Sequence, residues 1–239
     1  LKERLDKVVT DRKLVTSRSQ AKSLIEKGDV TVNGIVVLKA GELVDPASLI
    51  VVHSEIYVGR GAFKLKKALE EFKISVSEKI FLDVGASTGG FTEVLLTEGA
   101  RVIYAIDVGR DQLAQKLRTD SRVRNLEGTN IKDLSELPEL ADGAVMDLSF
   151  ISITKVLASV KRLLRPGGEL IVLIKPQFEV GIERLPKDGV VKDEKLRREV
   201  LREITVFALN SGWTHHRTIV SPIEGKTGNV EFLAHFSRD

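Results

Sequence analysis

The chain has 239 residues, 37 Lys plus Arg against 34 Asp plus Glu, and 42% hydrophobic residues, enough to bury one or two ordinary cores. That composition excludes a disordered or fibrous protein, and no apolar run reaches the roughly 18 to 20 residues needed to cross a bilayer. Zero cysteines exclude disulfides, thiolate zinc sites and cysteine nucleophiles; the four histidines are too scattered to make a metal site by spacing, so no metal is expected.

Leu1 to Asp11 is charged and amphipathic, unlike a signal peptide, which makes a soluble cytoplasmic protein the expectation. The only methionine is Met146, so the chain is expected to start after a missing or processed beginning. The net charge of +3 is unevenly spread: residues 1–68 carry 13 Lys/Arg and 8 Asp/Glu, the remainder 24 and 26. A basic front on a slightly acidic body points to a polyanion, although charge fluctuation over a solvated surface leaves the same signature.

Two short amphipathic helices are predicted first. Lys2 to Leu14 places Leu5, Val8 and Val9 at helical spacing, and Ser17 to Lys27 turns Ala21, Leu24 and Ile25 toward a core, with Ser17 as N-cap and Gly28 as the stop. Val30 to Val32 and Ile35 to Leu38 then form a hairpin about the type I′ pair Asn33-Gly34, and Leu49 to His53 is a further strand after the Asp45-Pro46 turn. Residues 56–65 are a glycine-containing joint, followed by a short helix from Lys66 to Phe72. This divides the chain into a domain at 1–55, a joint at 56–65 and a second domain at 66–239.

The second domain alternates apolar strands with helical periods. Strands are expected at Ile80 to Val84, Arg101 to Ile106, Ala144 to Met146 and Leu170 to Ile174, and helices at Phe91 to Glu98, Gln112 to Leu117 and Ser152 to Leu164, the last closed by Pro166-Gly167-Gly168. A long helix, Glu194 to Asn210, carries Leu196, Val200, Leu201, Ile204, Phe207 and Ala208 on one stripe, and strands Trp213 to Val220 and Asn229 to Phe236 finish the chain. The pattern is an α/β fold with a mostly parallel sheet covered on both faces.

Between the first strand and its helix lie Asp83, Val84, Gly85, Ala86, Ser87, Thr88, Gly89, Gly90, Phe91 and Thr92. This small-residue turn lets a ligand approach the backbone, and its spacing is neither the dinucleotide fingerprint nor the phosphate loop. With Asp107 at the end of the next strand to take ribose hydroxyls, the features suit an adenosyl ligand without a pyrophosphate. S-adenosylmethionine fits, with Asp83 near its amino-acid end and Asn130 toward the adenine. A tight turn and a helix-capping aspartate would leave the same residues.

Asp147 and Lys175 stand where core strands are predicted to end, Lys64 precedes the first helix of the second domain, and Glu231 lies inside Gly228-Asn229-Val230-Glu231-Phe232-Leu233. Strand ends converge on the ligand crevice of an open α/β sheet. Taken singly, Asp147 could cap a helix, Lys175 could snorkel, Lys64 could be a surface charge and Glu231 could sit on a solvated strand.

Arg4-Leu5-Asp6, Ser17-Arg18, Ala21, Leu24-Ile25, Gly28, Val30 and Val32-Asn33-Gly34 resemble the S-four RNA-binding domain. The resemblance implies a helix pair presenting Arg4, Arg12, Lys13, Arg18 and Lys22 to the phosphates of structured RNA, with Arg60 beyond it; no aromatic precedes Tyr57, so base stacking is not this segment's mode. Gly85-Ala-Ser-Thr-Gly-Gly-Phe-Thr, Asp147-Leu-Ser-Phe-Ile-Ser, Lys175-Pro-Gln-Phe-Glu-Val-Gly and Gly228-Asn-Val-Glu-Phe resemble the TlyA (haemolysin A) family of ribosomal RNA methyltransferases across essentially the whole chain.

That resemblance implies a Rossmann-like S-adenosylmethionine-dependent methyltransferase domain behind a small α+β RNA-binding domain. It implies 2′-O-methylation of cytidine in small- or large-subunit ribosomal RNA, with ribosomal subunits as partners and no membrane. The family tetrad maps onto Lys64, Asp147, Lys175 and Glu231, with Asp147 also beside the cofactor. Lys175 takes the central role, either as base or as a charged group polarising the hydroxyl. In Gly59-Arg60-Gly61-Ala62-Phe63-Lys64 the family pattern has Ser first and usually His before the Lys, so Gly59 and Phe63 depart from it. The competing expectations are an inactive RNA- or ribosome-binding protein, a methyltransferase acting on protein or a small molecule, and a membrane-lysing protein, which the family's old name suggests but no long basic amphipathic helix supports.

Overall fold

The computed structural model describes residues 2–26, 28–52, 57–225 and 227–239. Lys27, His53 and Ile56, the expected ends of a helix, a strand and the start of the joint, lie outside the described residues. The chain divides into two units, Leu1–Tyr57 and Val58–Asp239.

In the first unit, Leu5, Val8 and Val9 on α1 (Leu5–Asp11) and Ala21, Leu24 and Ile25 on α2 (Arg18–Glu26) bury the stripes their spacing predicts. Ser17 Oγ accepts from Gln20 N at 3.2 Å, and Gly28 takes a positive φ of 83° after α2. The first helix is shorter than expected because Glu3–Arg4 is a strand, β1, paired antiparallel with β4 (Leu43–Val44), which periodicity does not reveal in so short a segment. Strands β2 (Val30–Val32) and β3 (Ile35–Val36) form the hairpin, with Asn33 and Gly34 at φ 50° and 81° as a type I′ turn requires. Strand β5 (Ile50–Val52) pairs with the other edge of β2.

The second unit opens with α3 (Gly61–Phe72), which starts five residues before the expected helix. Gly59 and Gly61 read as a joint, but the backbone of Gly59 and Ala62 packs so closely on Gly90 that a Cβ there would sit 3.2 Å from Gly59 O and from Ala62 N. Close helix packing explains Gly90, whereas a Cβ on Gly61 would meet Phe91 only at 3.5 Å, an ordinary contact. There follow β6 (Ile80–Val84), α4 (Gly90–Thr97), β7 (Val102–Asp107), α5 (Gln115–Arg118), β8 (Val123–Glu127) and β9 (Ala141–Met146). A 3₁₀ turn (Ile153–Lys155), α6 (Leu157–Leu163), β10 (Leu164–Ile174), the unpredicted short α7 (Pro176–Glu179), α8 (Glu194–Asn210), β11 (Trp213–Val220) and β12 (Phe232–Arg238) complete it.

Helix α5 is shorter than its apolar pattern because Glu127 Oε1 accepts the N–H groups of Gln112 and Leu113 at 2.6 and 2.9 Å, holding them outside the helix. Pro166-Gly167-Gly168 is an irregular stretch of β10, where the register against β9 shifts between Leu164 and Glu169.

The seven strands order as β11-β12-β10-β9-β6-β7-β8. Six strands run in one direction and β12 alone runs against them. Ile80, Leu82 and Val84 of β6 join Leu157, Val160, Val200, Ile204, Ala234 and Phe236 in the main core, while Asp83, pointing to the other face, meets Thr92 of α4. On α8, Val200, Ile204 and Ala208 are buried, whereas Phe207 of the predicted stripe is exposed. Among the described residues no helix is long and apolar enough to cross a membrane.

Candidate active site

The carboxyl ends of β6, β7, β9 and β10 meet the start of β12 along one edge, because Asp147 N donates to Val84 O at 3.1 Å and Ile174 is in register with Phe232. This brings the tetrad of the sequence together as two ion pairs. Lys64 Nζ lies 2.5 Å from Glu231 Oε2, and Lys175 Nζ lies 2.7 Å from Asp147 Oδ1. Lys64 is 7% exposed and Glu231 3%, so neither is the surface charge it could have been. Asp147 caps no helix; Ser152 is the N-cap of the next turn. Gly61, one turn before Lys64 on α3, is so close to Asp147 that a Cβ would lie 3.7 Å from its Oδ2.

Lys175 Nζ also donates to Ser149 Oγ at 2.9 Å and sits 5.9 Å from the centre of the Phe178 ring. An ammonium has three N–H bonds, of which Ser149 takes one while Asp147 holds the group as an ion pair, so a donor remains for a further partner. Phe178 in turn packs against Phe150, ring centres 4.9 Å apart. Phe150 is 90% exposed and held at φ 64°, a backbone state that bulky residues rarely adopt. Nothing in apolar periodicity marks it, although it stands in the Asp-Leu-Ser-Phe run. Asn229 stands in the Gly228-Asn-Val-Glu-Phe segment, but only the fold gives it a role: it is fully buried, with its Oδ1 accepting from Val191 N at 2.9 Å and its amide donating to Gly189 O at 2.9 Å, which anchors the 189–191 loop two residues before Glu231.

The glycine-rich turn is built on alternating backbone signs, with Gly85, Ser87 and Gly89 at φ 89°, 48° and 95°. Gly85 N and Ala86 N donate to Ile106 O, so the loop is tied to the end of β7. Asp107 caps no helix: its two oxygens accept from Ser87 N at 2.8 Å and Gly109 N at 2.7 Å. Thr88 Oγ1 faces Gly59 so closely that a Cβ there would lie 2.8 Å away, which leaves the serine of the family pattern no room unless Thr88 turns. Phe91 is buried, and Gly90 begins α4. Asn130 is exposed, and its Oδ1 closes a turn onto Lys132 N at 3.1 Å.

Asp83 is fully buried. One oxygen accepts from Thr92 Oγ1 at 2.6 Å; the other, Oδ1, has no partner. Desolvation, aided by the neighbouring carboxylates of Asp147 and Asp107, raises its pKa to about 7. Folding therefore retains a proton that the unfolded chain loses near 3.8, and this contribution to stability is full below that pH and lost as pH climbs through about 7. Melting curves of the ligand-free protein should fall across that window, and Asp83→Asn should flatten the fall; equal slopes in both proteins would remove Asp83 as its source.

Of the expected RNA-facing cations, Arg4 and Arg18 share one buried carboxylate, at 2.9 and 3.0 Å from Asp6 Oδ2, and the first of these bonds chiefly draws the Asp6 pKa down to about 2. Arg12 donates to the carbonyls of Ser48 and Pro46. Lys22 lies 3.7 Å from Glu26, Lys13 is exposed at φ 57°, and Arg60 is exposed just before α3. The three arginines of the first unit are thus fixed in direction by their own fold.

A seven-stranded sheet with one antiparallel strand, a glycine-rich turn leaving its first central strand and an acid closing the next define an S-adenosylmethionine-dependent methyltransferase. The profile of the FtsJ-like methyltransferase family matches residues 57–238, and that of the S4 domain residues 3–50. The chain belongs to the FtsJ-like methyltransferases, in the TlyA (haemolysin A) family that joins this domain to an S4 domain. It is 43% identical over 237 residues to Hemolysin A of Brachyspira hyodysenteriae, covering 98% of this chain and 99% of that one. It is 41% identical over 237 residues to the 16S/23S rRNA (cytidine-2′-O)-methyltransferase TlyA of Mycobacterium tuberculosis, covering 96% and 88%. A solved structure from Streptococcus thermophilus, described as a candidate hemolysin, superposes with a TM-score of 0.76 at 40% identity, covering 99% of this chain and 88% of that one.

Proposed function

We propose that this protein transfers a methyl group from S-adenosylmethionine to the 2′-hydroxyl of a cytidine in ribosomal RNA, acting on ribosomal subunits in the cytoplasm. The observation that carries the proposal is the meeting of Lys64–Glu231 and Lys175–Asp147 beside the glycine-rich turn, in a chain 41% identical to an enzyme named for that reaction.

The residues present fit the cofactor. The unpartnered Asp83 Oδ1 is a buried acceptor suited to a cationic amino group, and Gly85 at φ 89° lets the turn pass against the Asp147 carbonyl, where a Cβ would come within 2.5 Å. Residues 85–91 would pass along the ligand, Asp107 would accept from the ribose through lone pairs that Ser87 and Gly109 leave free, and Asp147 would border its reactive end. Asn130 would approach the adenine with its amide nitrogen. When bound, S-adenosylmethionine supplies an electrophilic methyl group on a sulfonium.

The chain's own residues then position the nucleophile. Lys175 turns its remaining N–H toward the 2′-oxygen, and Asp147 and Ser149 hold it there. As the O–CH₃ bond forms and the C–S bond breaks, the hydroxyl proton leaves to solvent and Lys175 stabilises the charge developing on oxygen. Lys64, fixed by Glu231, adds a second cation for the adjacent phosphate. Phe150 offers an exposed ring on which the target base stacks once it has left its helix. Arg4, Arg12 and Arg18 contact RNA phosphates with side chains that their own fold directs, and Lys13, Lys22 and Arg60 are further exposed cations for the same purpose.

The test is incubation with methyl-labelled S-adenosylmethionine and separately purified small and large subunits, followed by mapping of 2′-O-methyl nucleotides. Label on a cytidine ribose is expected, and Phe150→Ala should raise KM for RNA or lower kcat by roughly tenfold, the scale of one lost base–aromatic stack. Label confined to base nitrogen or carbon, or to protein, would overturn the reading.

A further inference from the structure

The hairpin of β11 and β12 carries three of the chain's four histidines, and the sheet register gathers two of them with a glutamate of β10. Glu169 is opposite Ser237, and Ile171 is opposite His235, so Glu169 and His235 emerge diagonally on one face. Without interruption His216 would pair with His235. Instead the register of β11 shifts between His215 and Arg217, so Arg217 takes that place and His216 is the extra residue of a bulge, added to the same face.

The geometry that results is directed. His235 Nε2 lies 2.6 Å from Glu169 Oε2, the rings of His216 and His235 are centred 4.5 Å apart, and His216 Nε2 lies 2.8 Å from Ser237 Oγ. Phe72 of α3 stacks on His235 at 5.3 Å and 24°, fixing the plane of that ring. One ligand atom from each of Glu169, His216 and His235 falls within 4.8 Å of the others, the one such group among the described residues.

We propose that Glu169, His216 and His235 form a binding site for a divalent transition-metal ion, best suited to zinc, with water as the fourth ligand. Two imidazoles and one carboxylate are a donor set that zinc takes in tetrahedral geometry, whereas magnesium and calcium prefer oxygen alone. Tetrahedral zinc at its usual bond lengths sets donor atoms about 3.3 Å apart, so the hydrogen-bonded pair must open by roughly 0.7 Å. Glu169 is partly exposed and free to swing that far. A hydrogen bond between His235 and Glu169 accounts for those two residues alone; it does not account for a strand bulge that aims a third donor atom at them. The ion would cross-link β10, β11 and β12, roughly 13 Å along β12 from Glu231 at about 3.3 Å per residue. The scattered spacing of these histidines, which argued against a metal, says nothing about strands that pair across the sheet.

The experiment uses the full chain, purified without a histidine tag and stripped with chelator, titrated with Zn²⁺ by calorimetry and by competition with a chromogenic chelator. One equivalent per chain is expected, with Mg²⁺ failing to compete. His216→Ala and Glu169→Gln should each weaken zinc by about tenfold or more, while His215→Ala, whose ring packs on Phe236, leaves it unchanged. His216 is exposed, and melting in chelator should show that its variant folds like the parent. Cobalt substitution gives the second readout: a tetrahedral visible spectrum in the parent that His216→Ala loses. Binding that is absent, or equally tight in both ligand variants, would overturn the site.

Discussion

Lys175→Ala is expected to fold, to bind S-adenosylmethionine within about twofold of the parent, and to lower the single-turnover rate of methyl transfer by roughly 10²–10³-fold or more, the scale of losing one preorganised charge at a reacting oxygen. Lys175 is a cleaner probe than Lys64. Both partners of the Lys64–Glu231 pair are buried, so truncating either strands an unpaired charge at about 3–5 kcal/mol and confounds catalysis with stability. Lys175 follows directly on β10 at the crevice edge, and Asp147 keeps access to solvent when its partner is removed. The check is single-turnover labelling beside calorimetric cofactor binding. A variant that turns over within about threefold of the parent would remove Lys175 from the chemistry. A variant that loses cofactor binding as well would reassign it to the ligand pocket.

Gly85→Ala should be the most damaging single methyl group in the second unit. At φ 89° a Cβ is disfavoured by itself, and this one would lie 2.5 Å from the backbone carbonyl oxygen of Asp147. A backbone atom in a central strand end cannot rotate away as a side chain can. Left-handed strain and overpacking together cost about 3 kcal/mol or more, or roughly 6–12 °C of melting temperature for a unit of this size. Relief requires Asp147 to move, so cofactor affinity and turnover should fall together, by at least about tenfold each. Thermal melts and calorimetry measure both; unchanged melting and affinity would show that the loop tolerates a side chain and that its glycine has another origin. Gly167→Ala makes the control, since Gly167 has a similar φ of 72° with open space around it.

The two units differ in how their charges are used. In the first, Asp6 neutralises part of the positive charge of Arg4 and Arg18 while aiming both guanidiniums, so the basic excess of residues 1–68 is smaller at the surface than the count suggests and better directed. In the second, opposite charges pair in the crevice, and Asp83 is a fully buried carboxylate that keeps an open acceptor.

Amino-acid order alone determined the elements whose own periodicity is long: α8 from Glu194 to Asn210, β6 from Ile80 to Val84, β11 from Trp213 to Val220 and the Asn33-Gly34 hairpin, because a buried stripe or an alternating strand repeats often enough to be read locally. It also carried the four motif segments that hold Asp83, Asp147, Lys175 and Glu231. Tertiary structure decided what local pattern cannot encode. Two-residue strands such as β1 exist only through their partner, α3 extends through a glycine run because α4 packs against it, and Lys64 is buried because Glu231, 167 residues away, receives its charge. The same cause gathers Glu169, His216 and His235: their meeting depends on the pairing of three strands and the offset of one bulge, and sequence separation has no physical bearing on distance across a sheet.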